Sequence, residues 1–256
     1  MTYLQAILLA TIQGLAEFLP ISSSGHLVIF QKLLRIDTPQ VLFDIMVHLG
    51  TLIAIIFYFK DQLIQLLERM IQKEKKSWHF FLMIILGTLP AVVAGFFLQR
   101  HINQIFSSLR LVGVSLLITA GLLFSTLFIK KTRPDFRYLK WQDALFIGAF
   151  QAIAILPGVS RAGSTIVAGL WRKLDKETVF QFSFLLAIPA IIGAFVLQIP
   201  DLTNHHFNYL NQSILGMVVA GIVGYFALRI LESLLKSAKI FYFGFYCLLL
   251  GILALL

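Results

Sequence analysis

Apolar positions along this chain come in unbroken runs, not in alternation. No charged residue interrupts Leu111 to Ile129, Thr178 to Pro200 or Ile240 to Leu256, and His79 to Gln99 contains no Asp, Glu, Lys or Arg. Each run is close to the ~20 residues that an α-helix needs to cross a bilayer. Strands of a membrane barrel would alternate apolar and polar residues over about ten positions, and these runs do not. The pattern predicts six full spans, at about 41–59, 79–99, 111–129, 179–199, 213–229 and 240–256. Two further apolar regions are interrupted: 3–35 by "LPISSSG" and 142–172 by "LPGVSRAG". In each, a proline stops a first half-helix and a serine is placed to cap a second. Broken backbone at membrane depth is tolerated only where protein buries it or where it lines a cavity. Both regions therefore read as re-entrant helix pairs.

The two interruptions resemble each other. Gln13 and Gln151, Ala16 and Ala154, Ser22 and Ser160, Ser24 and Ala162, and Gly25 and Gly163 pair at an offset of 138, while Pro20 and Pro157 slip by one. Downstream, "VVAGFF" at 92–97 is echoed by "VVAGIV" at 218–223. Each half, 1–130 and 131–256, holds one re-entrant pair and three spans. Three is odd, so the halves are expected to lie inverted, with their broken helices meeting near the midplane. The fold class expected is an all-α polytopic membrane protein: a single domain of about ten helices, with six spans and two re-entrant pairs in an inverted repeat.

Composition agrees: 59% of the 256 residues are hydrophobic and 13% charged, with mean hydropathy +0.87. The net charge of +9 reads as basic loops on the cytoplasmic side and not as a nucleic-acid surface. Segments 60–78 and 130–140 carry five basic residues each, and 172–176 and 229–239 three each, all on one side of the six-span arrangement. The positive-inside rule then puts both termini outside the cytoplasm. The first break enters from the outer face and the second from the inner. No removable signal segment is expected. The single cysteine, Cys247, excludes disulfides and cysteine-based metal sites.

The candidate chemistry lies in the breaks. Glu17, Ser22, Ser23, Ser24 and His26 fall at or near membrane depth, where an ionisable side chain is a functional candidate. Backbone N–H groups at the start of the half-helix after Ser23 suit an anion. Gln13 and Glu17, four apart, share a helix face, and their oxygens suit a hard divalent cation. In the second break Arg161 carries the planar fork that grips phosphate, or else stands as a structural ion-pair partner of Glu17. Ser160, Ser164 and Thr165 add hydroxyls, and Gly158 and Gly163 allow close backbone approach. An acid, a histidine, an arginine and two half-helix N-termini together are what binding and cleaving a diphosphate requires. Asp44 and His48 share a face of the third helix and either reach this cavity or lie near the outer interface. Asp143 reads as a helix cap and His205–His206 as loop.

Two stretches, "QGLAEFLPISSSGH" at 13–26 and "PGVSRAGST" at 157–165, resemble the paired motifs of the undecaprenyl-diphosphate phosphatase family, also called bacitracin-resistance proteins. The resemblance extends over essentially the whole chain. It departs at Ala162, where the family pattern has serine, and at Gln13, which leaves Glu17 as the charged residue of its pair. The resemblance implies a hydrolase of the bacterial cell membrane. It would convert a C55 polyprenyl diphosphate to the monophosphate and inorganic phosphate, recycling the lipid carrier for peptidoglycan and conferring resistance to bacitracin. It also implies a divalent cation, magnesium or calcium. By position, Gln13 and Glu17 belong to the metal or acid–base group, Ser23 and His26 to the attacking group, and Ser160, Arg161 and Thr165 to the phosphate clamp. Ser22, Ser24, Gly25, Gly163 and Ser164 are expected around the substrate. The nucleophile stays open between Ser23, His26 and water. The partners expected are the lipid substrate and, as a candidate, a second copy of the chain. The competing reading is a flippase for the same lipid, since transporters also use broken helices in inverted repeats. A structural partner of cell-wall enzymes ranks last.

Overall fold

The structure, a computed structural model, describes residues 1–36, 41–98, 108–129, 139–203 and 209–256; of 199–203 only the helical backbone is described. Within these residues there are eleven α-helices and no strand. The first break lies between α1 (Tyr3–Phe18) and α2 (Ser23–Leu33), the second between α7 (Trp141–Ile153) and α8 (Arg161–Trp171). At 1.5 Å per residue these four helices are about 16–24 Å long, short of the ~30 Å hydrocarbon layer. The remaining helices are α3 (Val41–Tyr58), α4 (Lys60–Ile71), α5 (Lys75–Leu98), α6 (Leu109–Ser125, extended by a 3-10 turn to Phe128), α9 (Lys176–Thr203), α10 (Leu210–Lys236) and α11 (Tyr242–Leu255).

Five of the six expected spans, α3, α5, α6, α9 and α10, are long and apolar enough to cross a membrane, and the sixth forms the 14-residue α11. The chain is a multi-pass membrane protein. Its outer surface bears large apolar side chains such as Phe96, Phe97, Phe128, Phe226 and Leu253, each more than half exposed. One expectation is corrected. The basic segment 60–78 is not a loop: it holds α4 and the first turn of α5. Leu63, Leu66, Leu67 and Met70 recur at helical spacing there, a period that its charges mask in a hydropathy reading. Lys130, Lys131, Arg133, Arg137, Arg100, His205 and His206 lie outside the described residues.

Lipid is as apolar as a protein core, so burial alone does not hold such helices together; close packing does. A methyl on Gly148 of α7 would lie 2.2 Å from the Gly87 carbonyl oxygen of α5, and one on Gly50 of α3 would lie 2.1 Å from the Met217 carbonyl oxygen of α10. These contacts clamp the helix pairs that flank the breaks. Between them sits an aromatic core. Phe184 lies with its ring centroid 5.8 Å from Phe18, 6.4 Å from Phe59 and 4.9 Å from Phe180, so a rigid wall of rings runs up to the tip of α1.

Candidate functional site

Pro20 forbids continuation of α1, and Ser22 restarts the chain as the N-cap of α2 at φ +70° and ψ 99°. That conformation costs a non-glycine residue about 1–3 kcal/mol. It persists because both polar groups of Ser22 are held. Its hydroxyl accepts from Gly25 N–H and, across the molecule, from Gly158 N–H at 3.0 Å. Its carbonyl accepts from His26. Gly158, at φ +99°, is the turn of the second break. A methyl on Gly25 would stand 2.9 Å from the Gly158 Cα, so these two residues are glycines because the two breaks touch there. Thr119 of α6 braces the joint: its hydroxyl donates to the Gly158 carbonyl at 2.8 Å and accepts from Ser160 N–H at 3.0 Å. Ser160 caps α8 through Gly163 N–H.

This joint delivers Arg161 to Glu17. Arg161 Nη2 donates to Glu17 Oε1 at 2.6 Å, and the Ser23 hydroxyl donates to Glu17 Oε2 at 2.6 Å. Gln13 Nε2 donates to the same Oε2 at 3.1 Å. His48 of α3 stands with Nε2 3.9 Å away from it. Glu17 is 8% exposed and the Arg161 side chain 15%. The guanidinium also lies over the Phe184 ring, 5.6 Å from its centroid. Arg161 Nη1 and Gln13 Oε1 are buried without a hydrogen-bond partner among the described residues. A donor and an acceptor are thus left free beside one carboxylate.

The sequence model of the family described as bacitracin resistance protein BacA matches residues 6–253. The chain belongs to the BacA family. It is 40% identical over 258 residues to undecaprenyl-diphosphatase 3 of Bacillus cereus, covering 100% of this chain and 97% of that one. It is 36% identical to the undecaprenyl-diphosphatases of Halothermothrix orenii and Alkaliphilus metalliredigens, with 100% and 98% coverage in both cases.

Within this BacA chain the other motif residues divide. Ser24 pairs with the Ser22 hydroxyl. Thr165 donates its hydroxyl to the Arg161 carbonyl and so serves the helix. The Ser160 hydroxyl accepts from Gly163 N–H and so caps α8. Ser164 is buried, with its hydroxyl unpartnered among the described residues. Ala162 lies in the apolar cluster that contains Phe18 and Phe184, so its side chain belongs to the core. His26 bonds neither Ser23 nor Glu17: its Nδ1 lies 2.7 Å from the Ser22 carbonyl and its Nε2 2.7 Å from the Tyr246 hydroxyl of α11. Asp44 accepts from Gln31 at 2.8 Å. Asp143 caps α7 through Lys140 N–H and pairs with Arg172. Thr119, Phe184 and Tyr246 are the site residues that the motifs do not signal; each sits in an apolar span.

Proposed function

We propose that this chain removes the terminal phosphate of undecaprenyl diphosphate, returning the lipid monophosphate for peptidoglycan synthesis and so conferring bacitracin resistance. The observation that carries the reading is Glu17, held by Arg161 on one oxygen while its other oxygen accepts the Ser23 proton at 2.6 Å. That is an activated hydroxyl beside a guanidinium with one nitrogen free.

Ser23 Oγ attacks the terminal phosphorus as its proton passes to Glu17. The bond from that phosphorus to the bridging oxygen breaks, and the lipid monophosphate leaves. Water then cleaves the phosphoserine: its oxygen joins phosphorus, Ser23 regains a proton and inorganic phosphate departs. Arg161, through Nη1, and the first N–H groups of α2 and α8 offset charge on the transferring phosphoryl, where most phosphoryl-transfer catalysis lies. Direct attack by water, with Glu17 as base, is the second route. The free Gln13 oxygen and the Glu17 carboxylate fit a magnesium or calcium ion. Such ions take oxygen ligands and accept substrate phosphate oxygens for the rest. When bound, the ion supplies positive charge toward the diphosphate. Among the described residues no group of three or more His, Cys, Asp and Glu could hold a metal ion by itself, so substrate and water oxygens would have to complete the shell.

The positive-inside rule supports a bacterial cell membrane setting with both termini outside the cytoplasm and the site open to the outer face, the lipid tail remaining in the bilayer. The test is inorganic phosphate release from a prenyl diphosphate in detergent, where no two sides exist to flip between, with and without chelator. Release that is lost in Ser23→Ala supports serine attack. Release retained in that variant selects the water route. No release by wild type with cation present overturns the reading in favour of a flippase.

A further inference from the structure

Both ring nitrogens of His26 are engaged. A carbonyl oxygen only accepts, so Nδ1, 2.7 Å from the Ser22 carbonyl, carries a proton. The neutral ring then presents an Nε2 lone pair, and the partner 2.7 Å away is the Tyr246 hydroxyl. The opposite tautomer would set the Nδ1 lone pair against those of the Ser22 oxygen. The Tyr246 and His26 ring planes lie 11° from parallel with centroids 5.6 Å apart, and Phe30 stacks near His26 at 6.3 Å. His26 is 3% exposed. The carbonyl it grips belongs to the left-handed Ser22, the residue that immediately precedes Ser23 and receives Gly158 N–H.

We propose that Tyr246 is a positioning residue for the phosphatase site. Its hydroxyl proton fixes His26 in the tautomer whose Nδ1–H holds the Ser22 carbonyl, and so holds the turn that presents Ser23 to Glu17. The motif histidine acts through this turn and not as the acid or base of the reaction. The inference rests on the phosphatase reading above and adds to it a residue 220 positions from His26 in the chain.

The test compares Tyr246→Phe, His26→Asn, His26→Ala and the double variant His26→Asn/Tyr246→Phe. It reads kcat and KM for phosphate release, and the 15N signals of labelled histidine in micelles. An asparagine amide N–H reaches the same carbonyl as Nδ1–H but offers no nitrogen that titrates as imidazole does. Wild type is expected to show a neutral His26 with Nδ1 protonated and Nε2 hydrogen-bonded. Tyr246→Phe shifts the Nε2 signal and lowers kcat about tenfold, the worth of one aligned hydrogen bond, with KM little changed. His26→Asn keeps most of the turnover that His26→Ala loses, and it is indifferent to Tyr246→Phe. Wild-type kcat in Tyr246→Phe overturns the proposal. So does a His26→Asn protein no more active than His26→Ala. Wild type that releases no phosphate with cation present overturns the phosphatase reading and the role given to Tyr246 with it. That failure is told apart from the others because the 15N spectra of wild type and Tyr246→Phe would still differ.

Discussion

Replacing Thr119 with valine exchanges one hydroxyl for a methyl of nearly the same size, on a helix that carries neither motif. Two backbone groups lose their partner: the Gly158 carbonyl, now 2.8 Å from the hydroxyl, and Ser160 N–H, now 3.0 Å from it. Both lie at the buried joint between the breaks, and Thr119 itself is 1% exposed. An orphaned buried polar group costs about 1–3 kcal/mol, so the pair costs ~2–6 kcal/mol before the chain relaxes. Relaxation recovers part of this by moving the start of α8, which moves Arg161 against Glu17. A 1 Å misplacement of catalytic groups can cost about 100-fold in rate. Thr119→Val should therefore lower the unfolding temperature in detergent by roughly 5–15 °C, at ~2–4 °C per kcal/mol for a chain of this size. It should also lower kcat for phosphate release at least tenfold. Thr119→Ser keeps the hydroxyl and should stay near wild type in both. Differential scanning fluorimetry and a phosphate assay on the three proteins suffice. A Thr119→Val protein with wild-type melting and turnover would refute the claim that this hydroxyl ties the second break in place.

Glu17→Gln removes the proton acceptor of Ser23 and leaves Arg161 buried without its counter-charge, so turnover should fall by ~100-fold or more and stability by about 3–5 kcal/mol. Adding Arg161→Gln should restore the melting temperature without restoring activity, which separates the two losses. Gly25→Ala forces a methyl to 2.9 Å from the Gly158 Cα, backbone against backbone, and should cost ~1–3 kcal/mol with a drop in kcat, read by melting and phosphate release. Ala162→Ser places a hydroxyl in the apolar cluster, so turnover should stay unchanged while stability falls by ~1–2 kcal/mol; a rise in kcat would show that the position faces the phosphate after all.

The two breaks were legible because membrane helices exclude what they contain: proline beside serines, a carboxylate and a guanidinium have no bland place in hydrocarbon. Glu17 and Arg161, 144 residues apart, could be assigned to one cavity because each break forms a site only with the other. The roles of the smaller residues could not be read the same way. Thr165 and Ser160 look alike in sequence, yet one donates to a helix carbonyl and the other accepts from a backbone N–H as a cap. His26 sits three residues from Ser23, but its partner is a tyrosine inside a charge-free run, and such a residue reads as an interfacial ring. Thr119 gives no signal either, because a threonine in an apolar span usually bonds its own helix. The helix α4 was hidden by its charges, which suggested a loop to any count of Lys and Arg.

That helix has a mechanical consequence. Ile64, Leu67 and Ile71 are each more than half exposed and need hydrocarbon, while Asp61, Glu68 and Arg69 on the same twelve residues need water. Only one depth in a bilayer satisfies both faces. α4 thus reads as a helix lying along an interface, and because it packs on α3 and α5, the depth that suits its two faces is a constraint shared with the helix that carries His48.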